Sequence, residues 1–186
     1  HAAKLTLTNG TLAGTGTLTL SGTGNQWSGG AMTGGGTTLI KSDAKLTISG
    51  GFDTRRFLGN RTIDNAGVLI DTTSVGFAWV ELDGSATLNN TGTLDIQGNA
   101  VWQNAFNPAG SSLTLNNAGT LKKSAGGGDA SFSSATFIDS GDVHITSGRI
   151  LINGKPLETT VNLRPNLVVV DLTTTGIGGV VRSSSD

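Results

Sequence analysis

Few residues in this chain are of the types that active sites use for chemistry. There are two histidines, His1 and His144, and no cysteine, which excludes a zinc site with several protein ligands and a thiol nucleophile. His144 lies between two apolar residues of an alternating run, so it is expected to face solvent. The sequence therefore predicts no catalytic residue, no bound metal and no cofactor.

The aspartates provide the best case for an enzyme, because hydrolysis of a glycosidic bond needs two facing carboxyl groups. Asp95 and Asp142 are expected on one outward face, but two repeats of the chain apart. A calcium-assisted lyase would need acidic residues near arginine, and one such cluster exists, formed by Asp53, Arg55, Arg56, Arg61 and Asp64. An exposed loop held by salt bridges is the favoured interpretation of that cluster.

Tryptophan and threonine raise two binding hypotheses. Trp27, Trp79 and Trp102 would offer flat apolar faces to sugar rings if they were exposed, although packing in the core is favoured. Thr-x-Thr pairs at residues 6–8, 15–19 and 91–93 are typical of ice-binding solenoids. Ice binding needs such pairs in successive coils, and several repeats lack them. We therefore interpret the threonines as ordinary strand residues.

The composition favours a β-rich fold. Among 186 residues there are 29 Gly, 27 Thr and 14 Asn, but only two Glu and one Met. Helix formers are therefore scarce, whereas strand and turn residues are abundant. The 12 basic and 13 acidic residues nearly cancel, so no nucleic-acid partner is predicted. No apolar run reaches the roughly 18 residues that a membrane-spanning helix needs, so no membrane insertion is predicted.

An eleven-residue phrase recurs along the chain and is clearest from Leu88 to Gly98. Apolar residues stand four before and two after its centre in every copy. The spacings are 22 to 28 residues and average 25, and the centres are Gly16, Ala44, Gly67, Gly92, Gly119 and Gly141. Strands this short cannot bury a face alone, but stacking copies about 4.8 Å apart pairs their backbones. The repeat predicts an all-β solenoid of about seven coils, roughly 25 residues each, with third strands near residues 77–80, 101–102 and 130–132.

Two further predictions follow from the repeat and its end. Asn65, Asn90 and Asn117 stand two residues before their centres, and we expect their amides to form an internal ladder that Asp139 ends. Three independent turn asparagines are the alternative. The phrase is lost from residue 161, so residues 1–160 are assigned to the β-helix and 161–186 to a C-terminal segment. That segment is expected to cap the last coil or to dock on a neighbouring chain.

The stretch from Trp27 to Gly34, followed by repeated Asn-x-Gly-Thr-Leu phrases, resembles the repeat regions of filamentous-haemagglutinin-like proteins and autotransporter passenger β-helices. The resemblance covers roughly residues 5 to 155. It implies a right-handed parallel β-helix, export from a bacterial cell, and an adhesive or structural role without catalytic residues. Because the chain starts at His1 without a signal peptide, we interpret it as processed or excised from a longer protein.

These observations lead to one expected function and two alternatives. We expect a non-enzymatic module of an extracellular or cell-surface bacterial protein. Its partners would be further copies in a homo-oligomer or fibre, joined through the open β-helix ends or residues 161–182, or surface glycans. A carbohydrate-active β-helix enzyme, either a polysaccharide lyase or a hydrolase, is the first alternative. A glycan-binding module is the second.

Overall fold

The computed structural model describes residues 2–51, 54–74, 78–104, 110–163 and 180–183, which form strands and no helix. Within these residues there is accordingly no helix that could cross a membrane. The strands, in chain order, are β1 (Ala2–Ala3), β2 (Thr6–Leu7), β3 (Thr11–Leu12), β4 (Thr17–Leu20), β5 (Asn25–Trp27), β6 (Gly30–Met32), β7 (Thr37–Ile40), β8 (Lys45–Ile48), β9 (Arg56–Leu58), β10 (Thr62–Asn65), β11 (Val68–Asp71), β12 (Val80–Leu82), β13 (Ser85–Asn90), β14 (Thr93–Ile96), β15 (Val101–Asn104), β16 (Ser112–Asn117), β17 (Thr120–Lys123), β18 (Asp129–Phe132), β19 (Ala135–Asp139), β20 (Asp142–Ile145), β21 (Arg149–Ile152), β22 (Lys155–Pro156), β23 (Thr160–Leu163) and β24 (Val180–Ser183).

The strands stack into three sheets that the chain visits in a fixed order. Sheet A contains β1, β4, β7, β10, β13, β16 and β19, sheet B contains β2, β5, β8, β11, β14, β17, β20, β23 and β24, and sheet C contains β3, β6, β9, β12, β15, β18, β21 and β22. Each circuit from A to B to C adds one parallel strand to each sheet, giving about six turns of about 23 residues. The predicted parallel β-solenoid is thereby confirmed. A right-handed sense remains the expectation for parallel crossovers.

The interior is filled by residues that alternate with outward-facing ones along each strand. In sheet B, for example, Leu46, Leu69, Leu94 and Leu121 pair in register from turn to turn and are fully buried. Burial of one leucine contributes about 1.5 to 3 kcal/mol. Because each leucine is covered by those above and below it, every turn depends on its neighbours for this stabilisation.

Three corners separate the sheets, and we name them by the sheets that they join. In the AB corner, Gly67, Gly92, Gly119 and Gly141 end two-residue turns that lie directly on one another. A side chain at Gly92 would collide with the carbonyl oxygen of Gly67, and one at Gly119 would collide with that of Gly92. The small residue at the centre of the phrase is therefore required by the close approach of successive turns.

The first copy of the phrase has a different register from the predicted one. The repeat predicts Leu18 and Leu20 in sheet B, whereas the structure places both in β4 of sheet A. Asn25 and Trp27 occupy the corresponding positions of sheet B, paired with the next turn. An alternating Thr-Leu-Thr-Leu run fits any of the three faces equally well, so alternation alone could not assign it.

The second copy is shifted on one side of its turn. Ile40 lies beneath Asn65 rather than beneath Ile63, although the sheet B strands of the same turns are in the predicted register. The cause is a four-residue connection between β7 and β8, where the later AB turns have two residues. Length variation inside the phrase therefore displaced half of this copy.

Sheet C supplies the predicted third strands. β15 and β18 contain residues 101–102 and 130–132, while β12 begins only at Val80, the last residue of the predicted segment 77–80. After β21 the chain reverses direction, because β22 pairs antiparallel with β21 and β23 pairs antiparallel with β20. β24 then runs parallel to β23. Residues 164–179 and 184–186 of the predicted capping or docking segment lie outside the described residues, so its role stays a prediction.

Candidate binding surface

The AB corner contains the column of asparagines on which the sequence analysis centred. The Nδ2 atom of Asn65 donates to Oδ1 of Asn90 at 2.7 Å, and Asn90 donates in the same way to Asn117 at 2.7 Å. Asn117 donates to Oδ1 of Asp139 at 2.8 Å. Each amide also donates to a backbone carbonyl of the turn above, at Thr93, Thr120 and Asp142. The three asparagines are buried, so the ladder joins turns and offers nothing to a ligand.

The lower end of the ladder is incomplete. Asn65 Oδ1 is buried and has no hydrogen-bond partner among the described residues. Ile40, the residue directly below it, has no donor to offer. An unpaired buried acceptor costs about 1 to 3 kcal/mol, and the shifted register of the second copy is the reason for it here.

The BC corner holds buried charges instead of amides. Asp71 accepts hydrogen bonds from Thr73, through its backbone N–H at 2.9 Å and its hydroxyl at 2.5 Å, and from Trp102 Nε1 at 2.9 Å. Arg56 donates through Nη1 to the carbonyl of Ser49 at 2.6 Å, while its buried Nε and Nη2 lack partners in the described part of the chain. Burial raises the pKa of the Asp71 carboxyl, against the opposing effects of its hydrogen bonds and of the Arg56 charge.

Two turns above Asp71, Lys123 occupies the corresponding inward position of sheet B. Its Nζ donates to the carbonyl oxygens of Gly98 at 2.6 Å and Ala125 at 2.9 Å. Burial lowers the pKa of Lys123, and the negative charges of Asp129 and Asp71 oppose that effect. By binding these two carbonyl oxygens, Lys123 satisfies backbone groups that would otherwise face an apolar core.

The structure separates the three tryptophans. Trp27 and Trp102 are fully buried, the first in sheet B and the second in sheet C, where it contacts Phe132 with ring centroids 5.7 Å apart. Neither ring presents a face to a sugar, so the glycan contact suggested for these two residues is wrong and the core interpretation is right. Trp79 is partly exposed in the segment before β12, and its contact with a glycan stays a prediction.

The structure also disperses the mixed cluster of acidic and basic residues. Arg56 lies inside the BC corner, whereas Arg61 lies inside the CA corner and donates through Nε to Thr38 Oγ1 at 2.9 Å. Asp64 is on the outer face of sheet A, and Asp53 lies outside the described residues. These side chains therefore do not form the lyase-like arrangement that their spacing suggested.

The outer face of sheet B carries the other predicted residues. Asp95 accepts from Ser124 Oγ at 2.6 Å and Gln97 Nε2 at 2.8 Å, and it lies 3.3 Å from Lys122 Nζ. The strand pairings place Asp142 two turns above, as predicted, and His144 is partly exposed beside it. Asp95 already bonds to its own neighbours, and the described residues of this face provide no pair of facing carboxyl groups.

Glu81 is a residue that the sequence analysis missed. It pairs with Phe57 and Gln103 in an outward-facing row of sheet C, yet it is only 1% exposed. Its Oε1 lies 3.2 Å from Arg55 Nε. Burial raises the pKa of Glu81, and the Arg55 charge partly opposes the rise. An isolated Glu in a strand gives no sequence signal of burial on an outer face.

The outer face of sheet A carries a row of identical residues that the sequence analysis also missed. Six threonines pair in register on six of the seven strands of the sheet, from β4 to β19, and they are Thr17, Thr37, Thr62, Thr87, Thr114 and Thr136. All six are at least partly exposed. We call them the threonine row. The sequence prediction concerned Thr-x-Thr pairs, and it did not foresee a row of single threonines.

A second row runs beside the threonine row, two residues further along each strand. Asn89 Nδ2 donates to Asp64 Oδ1 at 2.7 Å, and Asn116 Nδ2 donates to Asn89 Oδ1 at 2.7 Å. We call these three residues the outer ladder, since it parallels the buried one on the opposite side of the same strands. Leu39 lies below the outer ladder and Ile138, which is 56% exposed, lies above it.

The described residues contain no group of three or more His, Cys, Asp or Glu side chains that could hold a metal ion. The regular polar face of sheet A is accordingly the candidate binding surface. Comparison of the chain with protein-family models, curated proteins and solved structures finds no match.

Proposed function

We propose that this chain is a non-enzymatic structural and adhesive module of a bacterial extracellular protein, and that it assembles end to end into a fibre. The observation that carries the proposal is the continuity of its columns. The buried ladder and the threonine row each run through successive turns without a break in register. A rod with regular faces can bind a partner along its length and can hold other parts of a protein at a fixed distance.

The ends of the sheets support assembly with further copies. The unpaired backbone groups of an end strand have the same spacing as the pairs inside the stack, so another chain can continue it. Within the described residues sheet A ends at β19, which carries the exposed side chain of Ile138. Sheet C ends differently, at β22, where Lys155 and Pro156 discourage pairing. Growth is therefore expected to depend on the edge of sheet A.

Sedimentation velocity over a wide range of concentration, with electron microscopy of the same samples, tests assembly. We expect filaments one rod wide that lengthen with concentration. Ile138→Lys places a charge at the edge of sheet A and should shorten them, whereas Thr47→Lys on sheet B should not. Protein that stays monomeric at high concentration and binds neither cells nor glycans would overturn the proposal.

A carbohydrate-active enzyme is the second candidate, and one observation favours it. The buried Glu81 has a raised pKa, which is the property of a general acid in glycoside hydrolysis. Release of reducing sugars or unsaturated products from a panel of polysaccharides would support this activity if Glu81→Gln abolished it. No release from any member of the panel is the result that the structural and adhesive proposal expects.

A further inference from the structure

We propose that the outer face of sheet A binds an extended, neutral polysaccharide. The threonine row and the outer ladder would together contact a chain that lies along the axis of the solenoid. This assignment rests on the adhesive part of the proposed function and specifies the surface and the class of ligand. Its support comes from the spacing, the hydrogen-bonding groups and the charge of this face.

The threonines of the row are evenly spaced along the axis of the solenoid. Neighbouring strands are about 4.8 Å apart, so the six threonines present one hydroxyl per turn over about 24 Å. Strand pairing keeps all six in register along one line. A ligand can use every member of such a row only if its own groups repeat along its length. Extended polysaccharides have hydroxyl groups that repeat in this way.

Both the threonine row and the outer ladder present hydrogen-bond donors and acceptors. Each threonine hydroxyl can donate one bond and accept two, which matches the hydroxyl groups of a sugar. In the outer ladder, Asn89 uses one amide hydrogen on Asp64 and accepts from Asn116, so one amide hydrogen of each asparagine remains for a ligand. The ladder bonds also fix the orientation of these amides before binding. Prior ordering lowers the entropy cost of capturing a ligand.

The two rows on the outer face of sheet A carry little charge. In the two rows of this face, Asp64 is the one charged residue from Thr17 to Ile138. The outer face of sheet B is different, since it carries Lys45, Asp95, Lys122 and Asp142. An anionic polysaccharide would find its cationic partners on sheet B, whereas the face of sheet A suits a ligand without charge.

Ice is the other extended lattice that a row of threonines could match. The second row argues against it, because a carboxylate and two amides at Asp64, Asn89 and Asn116 stand where a second rank of threonines would be needed. These groups bind water strongly in their own geometry and would interrupt an ordered layer. Ice binding is therefore an outcome of the test and not part of the proposal.

The test is cosedimentation of the full chain with insoluble cellulose and chitin, and with polygalacturonate as an anionic comparison. The variant Thr62→Val/Thr87→Val/Thr114→Val removes three hydroxyls but retains β-branched shape, so the strands should persist. Thr47→Val/Thr93→Val/Thr120→Val makes the same change on sheet B. Circular dichroism and thermal midpoints establish that both variants are folded.

We expect the chain to bind a neutral polysaccharide, and the sheet A variant to bind at least about tenfold more weakly while the sheet B variant is unchanged. Equal binding by both variants would overturn the assignment of the surface. Retention of polygalacturonate alone, or inhibition of ice growth without polysaccharide binding, would overturn the class of ligand. Chain that adheres to cells but binds no neutral polysaccharide would refute this inference and leave the adhesive function standing, whereas failure to adhere and to assemble would refute the proposed function itself.

Discussion

The AB and BC corners face the same problem, which is to join stacked sheets without leaving backbone groups unpaired, and they solve it differently. The later AB turns have two residues each, and one neutral residue type, asparagine, recurs in Asn65, Asn90 and Asn117. The BC connections vary from two to eight residues. There the buried charged residues are Arg56, Asp71 and Lys123, each with its own set of partners.

The comparison of the two corners shows that a side-chain ladder requires turns of constant length. When successive turns superimpose, the same amide can donate to its equivalent one turn above, and the sequence repeats. When lengths differ, no equivalent atom lies above, so each turn needs a long or charged side chain that reaches the carbonyls it finds. Removal of a buried charge is more costly than removal of a neutral amide, so the two corners should respond unequally to mutation.

The largest effect is expected for Asp71→Ala in the BC corner. The change removes the acceptor of Trp102 and Thr73, and it also removes the negative charge that favours the buried Arg56 cation. We expect a loss of about 3 to 5 kcal/mol in the free energy of unfolding, measured by urea denaturation. Asp43→Ala removes a carboxylate that forms only an exposed ion pair with Lys41, and should cost less than about 0.5 kcal/mol. Equal effects would show that the BC charges do not hold this corner.

A smaller effect is expected for Asn90→Ala in the AB corner. The change breaks the bonds to Asn65, Asn117 and the carbonyl of Thr120, and leaves buried groups unpaired. We expect a loss of about 2 to 4 kcal/mol in the same measurement. Asn89→Ala alters the adjacent residue of the same strand, which faces outward, and should cost less than about 1 kcal/mol. If the two substitutions cost the same, the buried ladder contributes no more than the outer one.

Ile40→Asn would extend the buried ladder by one turn. Asparagine at this position can donate to the unpaired Oδ1 of Asn65, which recovers part of the cost of losing the apolar side chain. Ile63→Asn buries the same amide in the same sheet, between Thr38 and Leu88, where no asparagine lies directly above or below it. We expect Ile40→Asn to be more stable than Ile63→Asn by about 1 to 2 kcal/mol in urea denaturation. The reverse order would mean that the ladder geometry does not continue below Asn65.

The smallest effect concerns pH and the segment that leads into β9, where Arg55 pairs with Glu81. Because burial raises the pKa of Glu81, the folded protein binds this proton more tightly than the unfolded chain does. That contribution to stability is present in acid and is lost as pH rises from the ordinary value of 4.5 through the raised pKa. Glu81→Gln removes the loss, so its stability relative to the parent should increase with rising pH. Urea denaturation from about pH 4 to pH 7 measures the difference; a constant difference would contradict the prediction.

The same contrast between corners explains what the sequence could predict. The solenoid and the positions of Asn65, Asn90 and Asn117 were readable because the AB turns repeat at fixed length. The register of Leu18 and Leu20 was not, since a Thr-Leu alternation fits any face. Arg56 was interpreted as part of an exposed loop because a cationic side chain in an irregular segment gives no sign that it turns inward.

The candidate surface was less predictable than the fold. Thr17 follows its phrase centre by one residue, Thr37 precedes its centre by seven, and the other four threonines precede theirs by five. Because these offsets differ, the row becomes visible only when strand pairing aligns the turns. The outer ladder depends on the second asparagine of an Asn-Asn pair facing inward and the first facing outward. The repeat supplied that division, but it did not show that strand pairing sets Asn89 beside Asp64 and Asn116.

We conclude that polar columns hold successive turns together, and native-state hydrogen exchange of Asn90→Ala tests this conclusion most directly. We predict that protection falls at the amide of Thr93 in the turn of Asn90, and also at the amides of Val68 in the turn below and Thr120 in the turn above, which bond between turns at the AB corner. Amides of the BC corner in the same turns should keep more of their protection. Loss confined to residues beside Asn90, with the neighbouring turns unchanged, would contradict the claim.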